Sequence, residues 1–130
     1  MSQAVDLPGT KVFVAQLQHA TGGSRYVDGK VWIQGVLISV RDEKDVTWYT
    51  VDDGTGVLAA KLSAAARQKV MTPGERGAPG DYVLIVGKVK AHAKLGRIVL
   101  LHTVIDLSAQ PDREAVWSMQ VIEATKAGAW

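Results

Sequence analysis

KVWIQGVLISVRDEKDVTWYTVDDGTGVLAAKL, residues 30–62, is the stretch whose reading decides the fold. Its opening run, 30–40, is rich in β-branched residues and carries apolar side chains at both parities, so it reads as a strand buried on both sides for much of its length. Gly35 stands in the middle of that run, where such a strand can bend sharply. RDEKD at 41–45 reads as a charged hairpin loop, VTWYTVD at 46–52 as the returning strand, and DGTG at 53–56 as a tight turn before GVLAAKL.

On the N-terminal side, KVFVAQLQHA starts with a strand-like pattern and turns helical near Gln16; the pattern leaves its class open. TGGS at 21–24 breaks it. On the C-terminal side, Ser63 is a candidate N-cap for a short helix through Ala64, Ala65, Ala66, Arg67 and Gln68, closed by the Pro/Gly loop MTPGERGAPG at 71–80. DYVLIVGKVKA at 81–91, with Gly87 inside it, and RIVLLHTVIDL at 97–107 are the fourth and fifth strands. Pro111 then sits in the first turn of a final helix, 111–126, where its missing N–H costs nothing. Three strands, a short helix, two strands and a terminal helix predict an all-β chain. The expected architecture is a five-stranded barrel of the oligonucleotide/oligosaccharide-binding (OB) type with a C-terminal α-helix. A small open sheet capped by helices is the alternative. Residues 1–10 read as an N-terminal extension, 11–126 as a single domain, and 127–130 as a tail.

Composition limits what such a domain does. At 130 residues the chain suits one domain of ordinary size. Fifteen Lys and Arg against thirteen Asp and Glu leave a net charge of +2, which gives no general pull toward nucleic acid. With no cysteine, disulfides and thiolate metal sites are excluded. The start, MSQAVDLPGTK, has no apolar signal core, and no apolar run reaches the roughly 18 residues of a membrane span, so a soluble intracellular protein without membrane contact is expected.

The final helix carries the strongest hint of function. At about 100° per residue, Ala115, Met119 and Ile122 gather on one side with Val116 at its edge. Trp117, Val121 and Ala124 gather roughly opposite. One apolar side is enough to dock a terminal helix on its own barrel, so the second points to a partner surface. The pattern does not decide which side faces the partner. Trp117 and Val121 are expected to fill a dry pocket there, flanked by Val116 and Met119; the intrachain alternative is a loop that covers Trp117.

Catalysis finds no support. Asp52 and Asp53, and nearby Asp42, Glu43 and Asp45, sit at hairpin turns, where Asp hydrogen-bonds its own backbone. His19, His92 and His102 lack metal-ligand spacing, and neither a GxSxG elbow nor a P-loop is present. No enzyme activity, cofactor or metal is expected. A single-strand-binding barrel needs basic groups and stacking aromatics on strands two and three or in the flanking loops. Trp48 is the candidate stacking ring, since Tyr49 points to the other face, and Lys88, Lys90, Lys94 and Arg97 form a basic hairpin free of acids. The plainer reading of those cations is a solvated edge that discourages aggregation.

With this order established, the motifs resemble those of the RecQ-mediated genome instability protein 2 family. The likeness covers about residues 11 to 124. It is most specific in Lys11, Val31-Trp32-Ile33-Gln34-Gly35, Pro79-Gly80-Asp81-Tyr82-Val83, Asp106-Leu107-Ser108 and Trp117. The resemblance implies a non-catalytic OB subunit that pairs, partly through its C-terminal helix, with the C-terminal OB domain of RecQ-mediated genome instability protein 1. It also implies membership of a nuclear complex with topoisomerase III and a RecQ helicase that dissolves double Holliday junctions, with DNA met only through the complex. Lys11 and Trp32, at recurring motif positions, are further expected partner contacts, and Trp32 equally fits a core role. A more distant similarity, to the middle subunit of replication protein A, implies the alternative of a stand-alone single-stranded-DNA-binding protein.

Overall fold

One long strand changes partner halfway. In the computed structural model, which describes residues 9–19, 29–63, 77–109 and 112–126, strand β2 (Lys30–Glu43) follows a two-residue strand β1 (Thr10–Lys11) and a short helix α1 (Val14–Gln18). Strands β3 (Val46–Asp52), β4 (Val57–Ser63), β5 (Tyr82–His92) and β6 (Gly96–Asp106) come next, and helix α2 (Arg113–Lys126) closes the order. From Lys30 to Val36, β2 pairs antiparallel with β5; from Val36 to Glu43 it pairs with β3. Strands β4 and β6 meet in parallel through Ala60↔Val99 and Lys61↔Leu100, which closes the circuit. The result is the expected five-stranded OB barrel with β1 added alongside β2.

Glycine permits the changeover. A Cβ on Gly35 would lie 2.7 Å from the Asp52 carbonyl oxygen, so β2 can cross β3 this closely only without a side chain there. Gly87 plays the same part in β5, where a Cβ would run into the Leu100 carbonyl as the β5–β6 register shifts. Inside, Tyr49, Ile33, Leu37, Leu58, Leu62, Val83 and Ile85 are fully buried, and Val14 and Leu17 of α1 join the same core.

The opening segment resolves as strand then helix, with the helix starting at Val14, two residues before Gln16. Gly9 and Thr10 belong to the folded unit, since Thr10 already pairs with Val31. Helix α1 is too short to stand alone, and distant groups hold both of its ends. Asp53 Oδ2 accepts from the Val14 N–H at 2.8 Å, and Thr55 Oγ1 accepts from the Ala15 N–H at 3.1 Å. At the other end, Arg97 Nη1 donates to the Leu17 carbonyl at 2.8 Å. The expectation that RDEKD forms a loop is corrected: Arg41, Asp42 and Glu43 extend β2 and pair with Trp48, Thr47 and Val46, so only Lys44 and Asp45 turn the chain. Thr47 Oγ1 donates to Asp42 Oδ1 at 2.8 Å and favours the longer ladder. The expected short helix after Ser63, and Pro111, fall outside the described residues.

Two of the family-like motifs build the frame. At PGDYV, Gly80 N–H donates to the Leu37 carbonyl and Leu37 N–H to the Asp81 carbonyl, both at 2.8 Å, which ties the start of β5 to β2. At DLS, Asp106 Oδ1 accepts from the Ser108 N–H at 2.8 Å, and Ser108 Oγ accepts from the Tyr82 N–H at 3.0 Å, fixing the exit toward α2. Hydrogen bonds from Ser108, first its N–H and then its side chain, hold the Asp106 carboxyl below its usual range. The Tyr82 phenol is pushed up to about 12 by burial first, then by the negative charges of Glu114 and Asp53.

Gly35→Ala is expected to destabilise the barrel by about 1–3 kcal/mol, as overpacking does, read as a lower urea midpoint at unchanged slope. The folded chain keeps the Tyr82 proton where the unfolded chain releases it, so this contribution is intact below pH 10 and is lost as pH rises toward 12. Tyr82→Phe, compared with the parent by denaturation across that window, should show a shallower alkaline loss.

Candidate functional site

Helix α2 lies along β1 and β2, outside the barrel. Its period sends Trp117 and Val121 to the same side, and both turn inward, 3% and 0% exposed. Lys11 arrives beside them from β1, with its ammonium 6.0 Å from the centre of the Trp117 ring. Gln16 Nε2 donates to Thr125 Oγ1 at 3.2 Å and joins α1 to the far end of α2. The expectation that Trp117 and Val121 fill a partner's pocket is thereby corrected: they dock the helix on its own barrel. The intrachain cover for Trp117 is not a loop but the β1–β2 edge.

The opposite side of α2 is open. Met119 is 67% exposed, with Val116 and Ile122 also exposed. Val116 and Met119 join Lys11, Gln120 and Glu123 around a largely apolar groove of about 430 Å³. So Lys11, Val116 and Met119, three of the residues expected to meet a partner, line one groove, and Ile122 extends the same side of the helix. Trp32 pairs with Lys11 across the β1–β2 ladder but does not line this groove. It faces outward on β2, half-buried, with Gly9 so near its ring that a Cβ there would strike the indole. The enclosed Nε1 atoms of Trp32 and Trp117 and the Oε1 of Gln34 have no hydrogen-bond partner.

A second concavity lies on the outer face of β3 and β4. Paired register sets Arg41, Trp48 and Lys61 in one row across β2, β3 and β4. The Lys61 ammonium stands 5.7 Å from the Trp48 ring centre. The β5–β6 hairpin folds over this row, with His92 edge-on to Trp48 at 6.0 Å between centroids. His92 Nδ1 accepts from the N–H groups of Lys94 and Leu95, both at 3.1 Å, which fixes the hairpin tip. Ser39, Arg41, Glu43, Trp48, Thr50 and Lys94 are among the residues around a groove of about 480 Å³.

Of the five residues expected to meet nucleic acid, only Trp48 and Lys94 share this groove. Lys88 and Lys90 point outward from β5, with Lys88 opposite Lys30 of β2. Arg97 lies outside the groove lining, and its Nη1 donates to the Leu17 carbonyl. Arg41, Lys61 and His92 were not anticipated, although counting back from a two-residue turn at Lys44 and Asp45 places Arg41 opposite Trp48. Asp52 and Asp53 do the turn work expected of them: Asp52 Oδ1 accepts from Gly54 N–H and Asp53 Oδ1 from Thr55 N–H. Among the described residues no cluster of His, Cys, Asp and Glu could hold a metal ion, and no helix is long and apolar enough to cross a membrane.

A closed OB barrel carrying one long helix against its first strands defines an OB-fold protein. Solved structures share that fold. A chain of the S. pombe Stn1–Ten1 complex aligns with TM-score 0.79 and 16% identity over 95% of each chain. A chain of a replication protein A heterotrimer bound to single-stranded DNA aligns with TM-score 0.70 and 15% identity, over 93% of this chain and 98% of that one. The yeast Stn1 and Ten1 structure contributes another at TM-score 0.76 and 11% identity, over 92% and 74%. No curated protein sequence matches. The sequence profile of the RecQ-mediated genome instability protein 2 family matches residues 8–125, and the chain belongs to that family.

Because Trp117 anchors the helix to its own barrel, Trp117→Ala should lower unfolding free energy by about 3–5 kcal/mol. Met119→Ala should change it by less than about 0.5 kcal/mol. Urea denaturation of both variants checks the assignment of the two helix sides.

Proposed function

We propose that this chain is a non-catalytic scaffold subunit. The open side of α2 and Lys11 form the docking surface for a second OB-domain protein similar to RecQ-mediated genome instability protein 1. Through that partner the chain joins topoisomerase III and a RecQ helicase in the nucleus, in a complex that dissolves double Holliday junctions during homologous recombination. The observation that carries this reading is the groove between Lys11 and the helix. Its wall is apolar at Val116 and Met119, on a helix whose other apolar side is already used internally. Exposed apolar surface of this kind favours association by removing it from water. Family membership supports the choice of partner.

Co-purification with the partner OB domain, followed by calorimetric titration, tests the reading. Val116→Asp and Met119→Asp should each weaken association by about 2 kcal/mol or more while leaving the thermal midpoint of the isolated chain unchanged. Unaltered affinity in both variants overturns the placement.

A further inference from the structure

The open side of α2 is apolar in shape, but its most exposed large side chain is a thioether. The chain has three methionines and no cysteine, and Met119 is the one methionine among the described residues. It is 67% exposed and lines the groove with Val116, Lys11, Gln120 and Glu123. We infer that Met119 is a reversible oxidation site whose sulfoxide weakens docking of the partner in this groove. The inference rests on the docking reading above and adds to it a means of regulation by peroxide.

With no thiol in the chain, oxidation at sulfur falls on thioethers, and exposure decides which of them reacts. Hydrogen peroxide supplies the oxygen. The sulfur lone pair attacks one peroxide oxygen, the O–O bond breaks as the S–O bond forms, and the other oxygen leaves with both protons as water. Sulfur loses the two electrons that peroxide gains. A flexible apolar side chain thereby becomes a polar, chiral one. In the free chain water solvates the new oxygen, so the fold is left as it was: Met119 faces away from the barrel, and Trp117 and Val121 on the other side hold the helix. A docked partner removes that water. Of the side chains lining the groove, only Lys11 and Gln120 carry hydrogen-bond donors, and the Lys11 ammonium already stands 6.0 Å from the Trp117 ring centre. A sulfoxide oxygen covered without a donor opposes association by the cost of an unpaired polar group, where the thioether favoured it as apolar surface. Peroxide therefore acts on docking and not on folding.

The experiment treats the full 130-residue chain with graded hydrogen peroxide, locates added oxygen by peptide mass spectrometry, and titrates each sample calorimetrically with the partner OB domain. Met119 should gain a single oxygen, and the oxidised chain should bind roughly ten-fold more weakly or worse, while the thermal midpoint of the isolated chain holds. Methionine sulfoxide reductases for both epimers, with a dithiol as reductant, should restore the thioether and the affinity together. Met119→Leu, whatever its own affinity, should bind equally before and after peroxide, which separates Met119 from Met1, Met71 and the tryptophans. The inference is overturned if Met119 stays unoxidised while other residues react, if the oxidised chain binds as the untreated one does, if Met119→Leu loses affinity under peroxide to the same degree, or if the thermal midpoint falls with the affinity. An untreated chain that does not bind the OB domain defeats the docking reading and this inference with it. A chain that binds and is indifferent to oxidation defeats this inference alone.

Discussion

The barrel depends on one strand serving two neighbours. β2 gives its first half to β5 and its second half to β3, and the transfer takes place where Gly35 lets the backbone pass close to Asp52. A straight strand would leave half of its hydrogen-bonding groups unpaired at an edge, with the cost of unsatisfied backbone and the hazard of association. Bending converts that edge into closure. The motif bonds at Gly80, Asp81 and Leu37 sit just past the bend and hold the two sheet halves at the angle it creates.

Closure on the inside leaves two distinct surfaces outside. Along β1 and β2, α2 covers one flank and turns an apolar side outward; across β3 and β4, the β5–β6 hairpin roofs a basic and aromatic row. The two surfaces occupy different strands.

Much of this was legible in the chain itself. Long β-rich runs marked β2 and β5 as strands, the two internal glycines marked the bends, and DGTG marked the β3–β4 turn. The expected burial of β2 on both sides is corrected, since Val36 and Ile38 are exposed on its outer face. What local pattern could not supply was the destination of side chains whose partners lie far away in sequence. The two apolar sides of α2 are equivalent until β1 brings Lys11 beside Trp117. Arg97 looked like a free cation, and its acceptor is the carbonyl of Leu17, 80 residues earlier. The groove was only half visible for another reason. Charge density in RDEKD suggests a loop, whereas the ladder continues to Glu43, and this extension is what sets Arg41 beside Trp48. Propensity gave way there to cross-strand pairing.

The caps of α1 bear on how the protein is made. Its Val14 N–H waits for Asp53, 39 residues downstream; its Leu17 carbonyl waits for Arg97; and Gln16 meets Thr125, 109 residues on. During synthesis this segment leaves the ribosome early yet finds its lasting contacts only when nearly the whole polypeptide has emerged. This segment is therefore among the last to settle, and a ribosome-stalled chain lacking α2 would hold it without its tie to Thr125.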